Sequence, residues 1–135
     1  MARIIDAEGH IVEPRPLWEE YVEPEFRERA IQVRRTAGGK DEFWVNNERR
    51  QAPGDSIVAA VIPGGYLDPE RTRVAAWEDI LPASWDPHER VKVLDAEGID
   101  VSFLYPSFYL LYGDLEEPRL AVAACRAYNT WMADF

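Results

Sequence analysis

Ile4-Ile5-Asp6-Ala7-Glu8-Gly9-His10-Ile11-Val12-Glu13-Pro14 is the stretch on which the reading of this chain turns. It opens with Arg3-Ile4-Ile5-Asp6, a short β-rich run that leads into Asp, Glu and Gly and reads as a first buried strand. Side chains two apart on an extended segment point to the same side. Glu8 and His10 therefore converge, and Asp6 joins them if the strand stays regular. One carboxylate and one imidazole suit a borderline divalent ion such as Zn²⁺, Mn²⁺ or Fe²⁺. Gly9 between them lets the backbone bend toward a ligand. A Glu-x-His triplet is common, however, and its plain reading is a solvated Glu beside a hydrogen-bonded loop His. Two ligands also leave a site incomplete, because catalytic zinc usually has about three from the protein.

Outward from this strand, two short helical pieces are expected, each opened by a proline: Pro16 to Tyr21 and Pro24 to Arg29. Residues 31–45 read as a hairpin. Ile31 and Val33 alternate with polar residues before Gly38-Gly39, and Phe43-Trp44-Val45 return after it. From Asn46 to Ser84 the chain is loop-like and rich in proline and glycine, as a segment packed over a functional face would be. Asp86-Pro87-His88-Glu89 is a helix start, with Val91, Val93, Leu94 and Ala96 as apolar surface and Gly98 at the stop. Val101-Ser102-Phe103-Leu104-Tyr105 is a second strand, closed by Pro106. Glu117-Pro118 opens a long helix in which Leu120, Ala121, Ala124, Cys125 and Tyr128 fall at helical spacing. A helix joined to a hydrophobic strand by a short glycine turn is the repeating unit of α/β folds, and about one and a half such units fit here, against the eight of a closed barrel. The last helix carries no stop signal before Phe135, which reads as a truncation.

Composition narrows the function classes. With 135 residues, 47% hydrophobic and 30% charged, the chain is globular and long enough for one real core. A net charge of -10 argues against nucleic acid and against an anionic membrane surface, since both draw affinity from clustered Lys and Arg. The single cysteine, Cys125, excludes an internal disulfide and a cysteine-based zinc site, and a reducing cytoplasm is the expected location. No run is apolar enough for a signal peptide or a membrane span.

The strand motif, with Asp6, Glu8, His10, Glu13-Pro14 and Leu17-Trp18-Glu19-Glu20-Tyr21, resembles the N-terminus of the amidohydrolase 2 family, the aminocarboxymuconate-semialdehyde decarboxylase-like branch of the metal-dependent amidohydrolase superfamily. Asp95-Ala96-Glu97-Gly98-Ile99-Asp100-Val101 with Leu104-Tyr105-Pro106-Ser107 is similar to that family's second barrel strand and its lead-in helix. Cys125-Arg126-Ala127-Tyr128-Asn129-Thr130-Trp131 is similar to the helix that follows. The resemblance implies an α/β fold, the N-terminal part of a TIM (β/α)8 barrel, forming a single incomplete domain over 1–135 with the 31–45 hairpin as an excursion after the first strand. It implies one divalent metal ion, Zn, Mn or Fe not distinguished, with Glu8 and His10 as first-strand ligands and Asp6 orienting His10. The activity implied is that of a decarboxylase or hydrolase on a small carboxylated, cyclic or aromatic substrate. Glu in place of the first His of His-x-His leans toward decarboxylation. The other ligands and the catalytic groups would lie beyond Phe135, so no catalytic residue is assigned here and the chain alone is expected to be inactive. Its partner would be the missing C-terminal barrel segment or a second copy. The alternative is a non-catalytic subunit or remnant that binds a partner chain through open barrel edges.

Other candidates carry plainer readings. Tyr105, Phe108, Tyr109 and Tyr112 follow the second strand and can line a substrate pocket or simply pack the barrel top. His88 reads as solvated, Arg34-Arg35 and Arg49-Arg50 as hairpin surface charge, and Cys125 as a small buried hydrophobe. No phosphate loop, nucleophile elbow or Cys-x-x-Cys is present.

Overall fold

The computed structural model describes residues 3–39, 41–50, 61, 76–109 and 115–135. The elements run β1 (Ile5–Ile11), β2 (Gln32–Arg35), β3 (Asp41–Val45), β4 (Glu48–Arg50), α1 (Pro87–Glu97), β5 (Val101–Pro106) and α2 (Pro118–Asp134). Short helical turns lie at Leu17–Tyr21, Pro24–Phe26, Trp77–Asp79 and Pro82–Ser84. Of the loop expected between Asn46 and Ser84, residues 51–60 and 62–75 lie outside the described residues, as does Tyr112.

β1 and β5 pair in parallel, with α1 before β5 in the connection, so the chain is mixed α/β with one parallel strand pair. Asp86 caps α1 by accepting from the His88 and Glu89 N–H groups, and Gly98 ends it at φ +70°, a left-handed conformation that glycine adopts without strain. Two strands show no barrel closure. The apolar surface expected of α1 is exposed at Val91 and Val93 among the described residues.

The second sheet, β2-β3-β4, is antiparallel. The 31–45 hairpin forms as the alternation predicts, with Gly39 at φ +82° donating its N–H to the Thr36 carbonyl at 3.0 Å. β4 is an addition to the expected hairpin. Asn46 and Asn47 both take positive φ, 53° and 62°, the conformation of a two-residue turn that Asn tolerates, and this returns the chain as a third strand.

The core sits between this excursion sheet and α2 rather than on the parallel strands. Ile11, Leu17, Trp18, Val22, Ile31, Phe43, Val45 and Phe108 meet Leu120, Ala123, Ala124, Ala127 and Trp131 of α2. The buried stripe of α2 is thus rotated from the one expected: Ala123 and Ala127 face inward and Cys125 is exposed, correcting its reading as a buried hydrophobe. Small alanines allow the helix to approach closely, and Tyr21 Oη donating to Asp134 and the Arg29–Glu117 ion pair fix its two ends.

Asp41 is the buried charge that organises the excursion. Fully buried, it accepts from Arg15 at 2.7 Å, from Arg35 at 3.1 and 3.0 Å, and from the Trp77 N–H at 2.8 Å. Burial alone would raise its pKa. The Arg35 and Trp77 hydrogen bonds and the Arg15 charge outweigh that and hold the carboxyl below its ordinary range. Arg34 lies over the Trp44 ring at 4.4 Å and Arg49 pairs with Glu42 at 2.9 Å, in keeping with structural roles for the hairpin arginines.

Candidate functional site at the tip of the first strand

β1 is not regular. Asp6 pairs with Ser102 but Gly9 pairs with Leu104, so Ala7 and Glu8 together oppose Phe103 in a bulge. The extra residue inverts the alternation. Asp6 and Gly9 face the same side as Ser102 and Leu104, whereas His10 pairs with Tyr105 on the opposite side. The condition for Asp6 to join Glu8 and His10 therefore fails. Its carboxylate accepts from Ser102 Oγ at 2.8 Å and from the Glu8 N–H at 3.1 Å, not from His10. Those two hydrogen bonds and the Arg90 charge keep the Asp6 carboxyl below its usual range, against a smaller opposing effect of burial.

Gly9 is required by the same feature. A Cβ there would stand 2.5 Å from Ser102 Oγ and 2.7 Å from Asp6 Oδ2, inside any tolerable contact. Its role is to make room for the Asp6–Ser102 hydrogen bond. Gly9→Ala is expected to destabilise the chain by about 1–3 kcal/mol through overpacking, measured by urea unfolding, and an unchanged midpoint would contradict that reason.

Glu8 belongs to the bulge and His10 follows it, where regular pairing with β5 resumes, and both side chains are exposed. The imidazole is held by its neighbour strand: His10 Nδ1 lies 3.2 Å from the Pro106 carbonyl oxygen, with Ser107 Oγ at 3.5 Å. A carbonyl only accepts, so Nδ1 carries the proton and the free lone pair is on Nε2. That hydrogen bond fixes the orientation of the ring. The His10 carbonyl in turn accepts from Arg90 of α1 at 2.5 Å. Glu8 and His10 are chemically fit to hold a divalent ion in part. Among the described residues no group of three His, Cys, Asp or Glu side chains comes together.

The aromatic candidates separate. Tyr105 is half-exposed beside His10, their ring centroids 6.3 Å apart, on the face that also carries exposed Ile5, Val101 and Phe103. Phe108 is wholly buried, 4.6 Å from Phe43 and 5.9 Å from Trp77 between ring centroids, so it is a core residue. Tyr109 stacks between Trp18 and Tyr128, and its hydroxyl contacts Cys125 Sγ at 2.9 Å; burial first, then that contact, pushes its pKa up to about 12. His88 stays exposed in the first turn of α1. Two clefts of about 340 Å³ lie elsewhere, one under the hairpin by Trp18, Ile31 and Arg34, the other between Phe26 and α2, and neither is lined by Glu8 or His10.

Sequence reasoning gave Glu13 no role beyond membership of the motif. Its carboxylate, 0% exposed, accepts from three successive backbone N–H groups: Ser107 at 3.2 Å, Phe108 at 2.9 Å and Tyr109 at 2.8 Å. Burial pushes its pKa up, and the backbone donors only partly counter that. The Glu-Pro pair directly after the strand was the available signal.

No family model matches this sequence, and no curated protein does. Among solved structures the chain is similar to an amidohydrolase from Mycobacterium avium subsp. paratuberculosis K-10, with a TM-score of 0.68 and 19% identity. The match covers 98% of this chain and 38% of that one. At that identity the likeness is one of fold: the chain has the architecture of part of an amidohydrolase, spanning well under half of its length. No helix among the described residues is long and apolar enough to cross a membrane.

Proposed function

We propose that this chain is the N-terminal part of a metal-dependent enzyme of the amidohydrolase superfamily, a decarboxylase or hydrolase acting on a small carboxylated cyclic or aromatic substrate. The observation that carries the reading is His10 at the C-terminal tip of a parallel strand, its Nδ1–H given to the Pro106 carbonyl and its Nε2 lone pair left for a ligand. Glu8 and His10 would hold the ion, which as a Lewis acid would polarise the substrate or a bound water. Tyr105 and Phe103 would form an apolar wall beside it. The remaining ligands and the catalytic groups would come from the rest of a barrel.

Calorimetric titration with Zn²⁺ tests this. The 135-residue chain should bind weakly, and Glu8→Ala and His10→Ala should each abolish the heat. Equal binding by wild type and His10→Ala would sink the assignment. The chain alone should show no decarboxylation of aromatic carboxylic acids, and measurable turnover would refute the claim that its site is incomplete.

A second reading is favoured by the exposed face of Ile5, Val101, Phe103 and Tyr105 and by the β1–β5 pair having no further strand on either edge among the described residues: a non-catalytic subunit that docks a partner chain there. It predicts binding of a partner without any metal requirement.

A further inference from the structure

We infer that Glu13 is a positioning residue for His10, acting through the turn that follows β5. This rests on the metal-site reading only for its purpose, because the coupling itself is drawn from geometry. The carboxylate of Glu13 gathers the N–H groups of Ser107, Phe108 and Tyr109, and the Ser107 N–H also donates to the Ile11 carbonyl at 3.1 Å. Together these bonds fix the peptide between Pro106 and Ser107, and with it the direction of the Pro106 carbonyl that accepts from His10 Nδ1. Glu13 and His10 stand three residues apart at the tip of β1, so one clamp holds both strand tips.

The chemistry requires a carboxylate. An apolar side chain of similar volume would strip the Phe108 and Tyr109 N–H groups of their acceptor and leave the Ser107 N–H to the Ile11 carbonyl alone, a real desolvation cost. An amide has one acceptor oxygen, and its NH₂ would oppose the third donor. A buried carboxylate is costly in its own right, so its presence where a neutral core residue would pack calls for a purpose beyond packing. Orientation of the imidazole supplies one: with the turn loosened, His10 loses its Nδ1 acceptor, and Nε2 no longer presents a lone pair by default.

The test reads the tautomer of the two histidines by long-range ¹H–¹⁵N correlation on the metal-free 135-residue protein, at a pH where imidazole is neutral. Wild-type His10 should be protonated on Nδ1, while exposed His88 serves as the internal control. Glu13→Gln should convert His10 to the pattern of His88, leave His88 unchanged, and weaken Zn²⁺ binding about 10–100-fold. Should Glu13→Gln fail to fold, Tyr109→Pro, which deletes one donor and keeps the carboxylate, should shift His10 the same way. A wild-type His10 lacking the Nδ1 proton, or a folded variant with His10 unchanged, would overturn the inference. A shifted tautomer in a protein that never binds Zn²⁺ would support the coupling and sink the metal assignment instead.

Discussion

Replacing Asp41 by Asn is expected to remove about 3 kcal/mol of stability, a large share of the ~5–15 kcal/mol that holds a domain folded. The full cost of breaking a buried ion pair runs to about 3–5 kcal/mol. The lower end applies here because the Arg15 and Arg35 side chains remain 34% and 39% exposed, so water partly replaces the lost charge. The Trp77 N–H loses its acceptor as well, and an amide at position 41 turns a donor toward donors. The pH dependence has a definite sign. The folded carboxyl lies below its unfolded value of about 3.9, so the contribution is fully present above that pH and is lost as pH falls through the lower folded value. Urea unfolding of wild type and Asp41→Asn across acid pH should show this slope in the first and its absence in the second. Equal midpoints at neutral pH would remove Asp41 from its place as organiser of the excursion.

Phe108→Ala should cost about 3–5 kcal/mol, comparable to the largest core truncations. The ring is wholly buried against Phe43 and Trp77, so its removal leaves a cavity between them. The same substitution at Tyr105, half-exposed beside His10, should change stability by well under 1 kcal/mol. The contrast separates a core aromatic from an exposed one, and denaturant midpoints measure it directly. A mild effect at Phe108 would return it to the substrate-facing set.

How far the sequence reached depends on which forces acted locally. The helix from Asp86 to Gly98 was legible because cap, proline and left-handed glycine are each local devices. The hairpin was legible from alternation and a double glycine, whereas β4 went unread because an Asn-Asn turn is a weaker signal than Asn-Gly. Glu8 and His10 were picked out by spacing two apart, but Glu8 lies within the bulge and His10 just past it. Asp6 was lost from that group through the same bulge. A bulge is set by what the neighbouring strand offers, here the Ser102 hydroxyl, and spacing along one strand does not contain it. The α2 stripe was misplaced because Ala121 and Ala123 are equally acceptable on an inward face until the surface opposite is known.

The sequence alone determined most of the elements and their order, because capping, turn chemistry and alternation operate over a few residues. Tertiary structure decided which carboxylates are buried. Asp41 and Glu13 read as ordinary charged residues, and only donors brought from Arg15, Arg35, Trp77 and residues 107–109 make a buried charge tolerable. A charge enters a core only when its partners arrive with it, and those partners lie up to 96 residues away along the chain.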